Sequence, residues 1–404
     1  MQKTSFWKAG HTPTLLAAFF YFDLSFMVWV ILGPLAIQIA KDLGLSASQK
    51  GLMVATPLLA GALLRIAMGV LVDHLKPKRA GVIGQVIVIG GLLWAWLGTL
   101  QSYGSMLLLG LLLGVAGAAF AVALPLASRC YPPEHQGTAL GIAGAGNSGT
   151  AFAALFAPSL AIAFGWQNVL GLCLLPLGVA LIVYLVFAKD APSAPAPKSM
   201  LEYLQVLKDR DAWGLMFFYS VTFGGFSGLA SSLTIYFNSE YGLSPVQAGY
   251  FTAACVLAGS LVRPFGGWLA DRIGGIRALS MMYFLAALFL LAASFGLKSA
   301  VAAVVVFVCA MLSLGTGNGA VFQLVPQRFR HEIGVMTGLV GMAGGVGGFY
   351  LAASLGYTKQ LTGSYQLGLT LFAGLAIIAL VGLTAVKARW RTTWGSAAMT
   401  TAKI

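Results

Sequence analysis

Charge is scarce in this chain, and acidic charge most of all. Only 9% of its 404 residues are charged, with 11 Asp and Glu against 24 Lys and Arg, while 59% are hydrophobic. With a mean hydropathy of +0.87, there are too few polar side chains to cover a soluble surface. Histidine and cysteine are equally sparse, at four each. Cys130, Cys173, Cys255 and Cys309 are scattered, with no Cys-x-x-Cys and no histidine at ligand spacing, so reduced structural thiols and no metal are expected. His11, His74, His135 and His331 fall at span ends or in loops, which leaves no clustered acid–base pair for a membrane enzyme. No ATP-binding loop or cofactor fingerprint is present, and no nucleic-acid motif accompanies the net charge of +13. Ten-residue alternating segments, the mark of a transmembrane barrel, are missing too.

What remains is apolar runs, long enough to cross ~30 Å of hydrocarbon as helices and recurring about every 30 residues. The pattern predicts an all-α membrane protein with twelve transmembrane helices, near 13–40, 49–74, 79–100, 103–129, 136–163, 166–188, 212–240, 246–271, 276–297, 300–326, 333–358 and 366–388. Lys3, Lys8, Lys78, Arg79, Arg129, Lys189, Arg272, Arg277, Arg328, Arg330 and Arg389 lie at the N-terminus, in even-numbered connections or after the last span. The opposite loops hold only Lys41, Lys50, Lys298 and Lys359. That bias places both termini in the cytoplasm, and the compact loops point to a bacterial inner membrane. The net positive charge reads as this bias together with attraction to anionic lipid. The start runs into the first span without a small-residue cleavage site, so a retained helix is expected.

The polar, proline-rich stretch KDAPSAPAPKSM (189–200) divides the chain: 1–188 and 212–404 read as two pseudo-symmetric six-helix bundles, joined by a cytoplasmic linker, 189–211. GLSASQKG (44–51) recurs as GLSPVQAG (242–249), and LLAGALLRIAMGVLVD (58–73) as LAGSLVRPFGGWLAD (257–271), each offset by 198 residues. Arg65 and Arg263 therefore occupy matching places. Arg65 precedes Asp73 by eight residues, which puts it about 12 Å deep. A charge at such depth costs at least ~2.5–3.5 kcal/mol, so a symmetric pair points to an anion site at the meeting of the two halves. The one buried acid near that depth is Asp23. Two guanidinium groups and one carboxylate leave a formal +1, which suits a singly charged anion and not divalent phosphate or sulfate. Asp23 has two readings: a proton-coupling carboxylate, or a permanent ion pair with an arginine.

The second helix of each half ends in a loop, Gly69-Val-Leu-Val-Asp73-His74 through Lys78-Arg79, and Gly267-Trp-Leu-Ala-Asp271-Arg272 through Arg277. These loops resemble the Gly-x-x-x-Asp-Arg-x-Gly-x-Arg-Arg signature of the major facilitator superfamily. The first copy departs from it with His74 for arginine and Pro77 where glycine is usual. The resemblance implies that Asp73, Arg79, Asp271, Arg272 and Arg277 work the cytoplasmic gate, and that the carrier is a monomer.

Two glycine runs, GTALGIAGAGNSGTAFA (137–153) and GVMTGLVGMAGGVGGFYLA (334–352), align Gly141 with Gly338 and Gly144 with Gly341. Small residues at this spacing let helices approach closely, but Asn147 inside the first run adds an amide that can hydrogen-bond into a site. AGAGNSGTA (143–151) and GMAGGVGGF (341–349) resemble the paired signatures of the nitrate/nitrite porter family. The resemblance implies that Arg65 and Arg263 hold nitrate or nitrite from both sides, with Asn147, Gly144, Gly146, Gly341 and Gly344 from the signatures. It further implies Tyr219 and Phe223 from the seventh span and the aromatics Phe26 and Phe120. The expected function is secondary active nitrate and nitrite transport by alternating access, as proton-coupled uptake. The alternatives are nitrate/nitrite exchange, or a carrier of another small organic or inorganic anion. A planar guanidinium matches flat, delocalised nitrate better than an ammonium does.

Overall fold

The computed structural model describes residues 6–98, 100–191, 205–329 and 332–395, and among these the secondary structure is helical with no strand. After a single helical turn, Phe6–Ala9, the longer helices in chain order are α1 (Thr12–Trp29), α2 (Leu32–Leu43), α3 (Ala47–Leu75), α4 (Pro77–Leu97), α5 (Tyr103–Gly117), α6 (Phe120–Ser128), α7 (Pro133–Gly144) and α8 (Gly149–Phe164). They continue with α9 (Trp166–Leu172), α10 (Leu174–Phe187), α11 (Arg210–Tyr241), α12 (Pro245–Leu261), α13 (Arg263–Ile273), α14 (Gly275–Ser294), α15 (Ala300–Arg328), α16 (Ile333–Thr362) and α17 (Gln366–Gly395). Several pairs are single rods with a break. Pro34 lies just after the α1–α2 break and Pro264 just after the α12–α13 break, where a ring without an N–H cannot continue the hydrogen-bond ladder.

Eleven of these rods among the described residues are long and apolar enough to cross a membrane. The helix outside that set is α11, whose 32 residues reach about 48 Å but whose apolarity is diluted by Thr222, Ser227, Ser231, Ser232 and Thr234. All five are buried against neighbouring helices, where polar side chains are tolerated because they do not face lipid. The sequence expectation of a span over 212–240 thus falls on a helix that is polar for a reason.

The 198-residue repeat is local structure as well as sequence. Gly44 and Gly242 end α2 and α11 with φ of 63° and 62°. Ser46 and Ser244 then start α3 and α12 with complete capping boxes to Gln49 and Gln247. At the other ends of those rods, Gly274 has φ 94° and its counterpart, 198 residues earlier, is Lys76 with φ 68°. This corrects the register read from sequence: the residue replacing the signature glycine is Lys76, and Pro77 is instead the first residue of α4. Lys76 is the one non-glycine residue with positive φ among the described residues.

The ends carrying the Ser-capped turns are closed by backbone contact. A Cβ on Gly51 of α3 would lie 2.7 Å from Cα of Gly356 of α16, and one on Gly33 of α2 would lie 2.3 Å from the Ser231 carbonyl of α11. A Cβ on Gly249 of α12 would likewise lie 2.4 Å from the Ala154 carbonyl oxygen of α8. At the opposite ends α7 and α13 barely touch.

There, Arg129 Nη2 pairs with Asp73 at 3.2 Å. Arg79, Asp271 and Arg277 are exposed, and Arg272 lies with its guanidinium carbon 4.5 Å from the Trp268 ring centroid. Asp211 at the start of α11 accepts from Arg328 Nε at 3.0 Å, from Arg389 and from Trp390 Nε1 at 2.8 Å, tying α11, α15 and α17 together. Cys130 donates to the Lys189 carbonyl at 3.5 Å; burial pushes its thiol up, keeping it protonated and unreactive.

Candidate anion-binding site

Arg65 projects from the middle of α3 and is fully buried. Its Nε donates to the Gly117 carbonyl at 3.1 Å and its Nη1 to the Gly341 carbonyl of α16. Around its guanidinium carbon stand Phe120 (5.0 Å to the ring centroid), Phe223 (5.1 Å), Trp29 (5.4 Å) and Phe26 (6.0 Å). Arg263, the first residue of α13, donates from Nη2 to Tyr219 Oη at 3.2 Å and faces Phe322 at 5.6 Å.

The aromatic rings connect the two cations. Tyr219 and Phe223, one turn apart on α11, are stacked with centroids 5.2 Å apart and planes at 7°. Phe322 of α15 meets Tyr219 edge-on at 5.0 Å and lies 6.1 Å from Phe120. Arginine planes over ring faces gain cation–π attraction, which partly offsets the cost of burying both charges.

That compensation is incomplete. Arg65 Nη2 and Arg263 Nη1 are buried with no hydrogen-bond partner among the described residues, and both side-chain atoms of Asn147 are in the same condition. Buried donors are nearly always satisfied, so two arginines with open donors beside aromatic rings suit an acceptor-rich group. Neither arginine forms an ion pair with a carboxylate among the described residues. Asp23 accepts from Ser148 Oγ at 2.7 Å and from the Gly149 N–H, not from an arginine. The ion-pair reading of Asp23 is thereby replaced by a hydroxyl and a backbone amide.

The glycine runs divide by job. Gly146 and Gly149 seat the first run against α1: a Cβ on Gly149 would fall 1.7 Å from the Asp23 carbonyl oxygen, and one on Gly146 would fall 2.7 Å from Phe22. Gly344 makes room for the stacked pair, since its Cβ would lie 2.7 Å from Tyr219 and 2.9 Å from Phe223. Gly341 accepts from Arg65 as described. Gly144 is buried, yet an added Cβ would meet nothing within 4 Å, so it borders open space and not a helix contact. Asn147 stands in a 3-10 turn, Ala145–Ser148, where the α-helix of the run is interrupted.

Two site residues escaped sequence reasoning, Trp29 and Phe322. Trp29 donates from Nε1 to the Pro57 carbonyl at 2.7 Å, which fixes its ring beside Arg65. Phe322 of α15 carried no signal in the sequence that set it apart from the other phenylalanines.

Fold and candidate site together describe a helical membrane protein with two buried arginines connected through a cluster of aromatic rings. The model of the Major Facilitator Superfamily matches residues 15–352. The "Probable nitrate/nitrite transporter NarK2" of Mycobacterium tuberculosis is 34% identical over 386 residues, covering 94% of this chain and 97% of that protein. The "Probable nitrate transporter NarT" of Staphylococcus carnosus is 34% identical, covering 88% and 91%. The "Nitrite extrusion protein" of Bacillus subtilis is 31% identical, covering 88% and 89%. Among solved structures, a bacterial homolog of the human lysosomal transporter Spinster, inward-facing and occupied, superposes with a TM-score of 0.73 at 17% identity, covering 94% of this chain and 97% of that one. The human organic anion transporter MFSD10 gives 0.68 at 16% identity, covering 92% and 99%. The chain belongs to the nitrate/nitrite porter family of the major facilitator superfamily.

Proposed function

We propose that this protein carries nitrate and nitrite across the bacterial cytoplasmic membrane by alternating access, as a carrier and not an enzyme. The observation that carries the reading is the pair of arginines, one from each half, each with a buried η nitrogen left open and joined through Tyr219 and Phe223. A planar anion with three acceptor oxygens fits between two guanidinium forks and apolar ring faces. Anions that hold their water strongly lose more on entering such walls, which selects against sulfate and phosphate. Asn147, with its amide unsatisfied, supplies a further donor to the bound anion.

In this reading the molecule has twelve spans, with α11 as the seventh. They form two six-helix bundles over 1–188 and 212–404, joined by the cytoplasmic linker 189–211, with both termini cytoplasmic by the distribution of lysine and arginine. The Ser-capped ends then face outward, and their Gly51–Gly356 and Gly249–Ala154 contacts form the closed outer gate. The loops with Asp73, Arg79, Asp271, Arg272 and Arg277 work the inner gate, and the protein acts as a monomer.

Transport is coupled to protons through Asp23. Support comes from its place: 4% exposed, held by Ser148 at the seam of α1 and α8, with no cation beside it, so that a proton is its available counter-charge. A second reading, nitrate/nitrite exchange, draws on the arginines themselves. With no carboxylate partner they need an anion for each crossing. Calorimetric titration of the purified protein with nitrate, nitrite, chloride and sulfate tests the substrate assignment. Saturable binding of nitrate and nitrite with little heat from sulfate is expected; sulfate binding as tightly as nitrate would refute it.

A further inference from the structure

At the Ser-capped ends, α3, α11 and α16 leave between them a small crevice that is partly open to solvent. Its walls include Lys50 and Val54 of α3, Ser232 and Ile235 of α11, Leu355 of α16, and Tyr365 in the turn before α17. Most of this lining is apolar, and beside the Tyr365 phenol two polar groups stand out. Ser232 is only 6% exposed, and its hydroxyl has no hydrogen-bond partner. The Lys50 ammonium makes no hydrogen bond or ion pair among the described residues.

The neighbouring lysine shows what a satisfied cation looks like at this place. Lys359 Nζ lies 2.5 Å from Glu240 Oε1 and 5.0 Å from the centroid of the Tyr365 ring, the same ring that walls the crevice. Glu240 is thus committed to Lys359, and Lys50 keeps its charge without a counter-ion. Lys50 also stands in the first turn of α3, where the helix dipole adds positive potential. A buried hydroxyl left open and an uncompensated ammonium, in one crevice of apolar walls, are the two halves of an anion receptor.

We propose that this crevice is a second, outer binding site for a small monovalent anion, with Lys50 supplying the charge and Ser232 a hydrogen bond. The proposal rests on the anion-carrier reading and deepens it. Fifteen residues separate Lys50 from Arg65 on the unbroken α3, about 22 Å along the helix. The two sites are therefore distinct but share α3, α11 and α16. The outer site holds an anion at the seam that must part before the arginines are reached. One ammonium cannot neutralise a divalent anion, which restricts the ligand to the monovalent class.

Acylation of individual lysines by acetic anhydride, read by mass spectrometry on the purified full-length protein, tests this with nitrate as the probe and sulfate at matched ionic strength as the control. Nitrate at twice its dissociation constant is expected to slow acylation of Lys50 about threefold, saturably, with Lys41 and Lys298 unaffected. Ser232→Ala should weaken the protection. Protection should persist in the Arg65→Gln/Arg263→Gln variant, in which the central site is disabled. An unprotected Lys50, equal slowing at every lysine, or protection that disappears in the double-arginine variant would each overturn the outer site. Because the readout is not transport, the two readings separate. A protein that protects Lys50 but moves no nitrate loses its carrier assignment and keeps this site, whereas one that transports nitrate with Lys50 unprotected loses this site alone.

Discussion

Tyr219 stacks on Phe223, with ring centroids 5.2 Å apart and planes at 7°, and this pair connects the two arginines. The hydroxyl of Tyr219 accepts from Arg263, while the ring of Phe223 faces Arg65. Helix α11 thus orients the cation of each half, and a movement of α11 alters both at once.

Removal of that hydroxyl isolates its part. Tyr219→Phe keeps the stacked ring and deletes the acceptor of Arg263. A hydrogen bond to a charged group contributes ~1.5–3 kcal/mol, so nitrate affinity should fall roughly 10- to 150-fold. The melting temperature, read alongside the titration, should stay near that of the parent; unchanged affinity would disconnect Tyr219 from the site.

Asp23 decides the coupling. Asp23→Asn keeps the hydrogen bond from Ser148 but cannot carry a proton, so nitrate uptake driven by an imposed inward proton gradient should vanish. Uptake driven by internal nitrite should continue. If the parent protein ignores the proton gradient and responds only to internal nitrite, exchange is the mechanism and Asp23 is a packing residue.

The glycines of the first run separate by space. Gly149→Ala drives a methyl into the Asp23 carbonyl, at 1.7 Å, and overpacking of this kind costs ~1–3 kcal/mol or more. It should lower thermal stability and abolish uptake. Gly144→Ala, where an added Cβ meets nothing within 4 Å, should leave the melting temperature unchanged. Equal destabilisation by the two variants would contradict the assigned packing.

Lys76 holds a conformation that glycine adopts freely, at φ 68°. Strain of this sort costs ~1–3 kcal/mol, so Lys76→Gly should stabilise the purified protein by about 1 kcal/mol, seen as a higher midpoint of thermal unfolding. A lower midpoint would mean that the lysine side chain contributes more than its backbone costs.

Sequence made the site legible where chemistry was costly or periodic. Arg65 and Arg263 were visible because charge is conspicuous in apolar spans, and Tyr219 with Phe223 because a one-turn spacing on the seventh span matched the family. Phe322 and Trp29 were not, since with 25 phenylalanines and nine tryptophans an aromatic residue carries no mark of whether it faces lipid, core or chamber. The apparent surplus of one charge depended on Asp23 joining the arginines. Its actual partner, Ser148, is 125 residues away in a stretch read for its glycines. The signature glycine was legible from spacing alone: it follows the aspartate by three residues, which is Lys76 and not Pro77, as Gly274 follows Asp271.

The central claim is that one anion is held between Arg65 and Arg263 as it crosses. Its most direct test is uptake of labelled nitrate into liposomes containing the parent protein, Arg65→Lys, Arg263→Lys or no protein. Uptake by the parent above empty liposomes is expected, with each lysine variant retaining positive charge but losing most of the transport because an ammonium lacks the planar fork. Parental rates in either variant, or no uptake by the parent, would contradict the account.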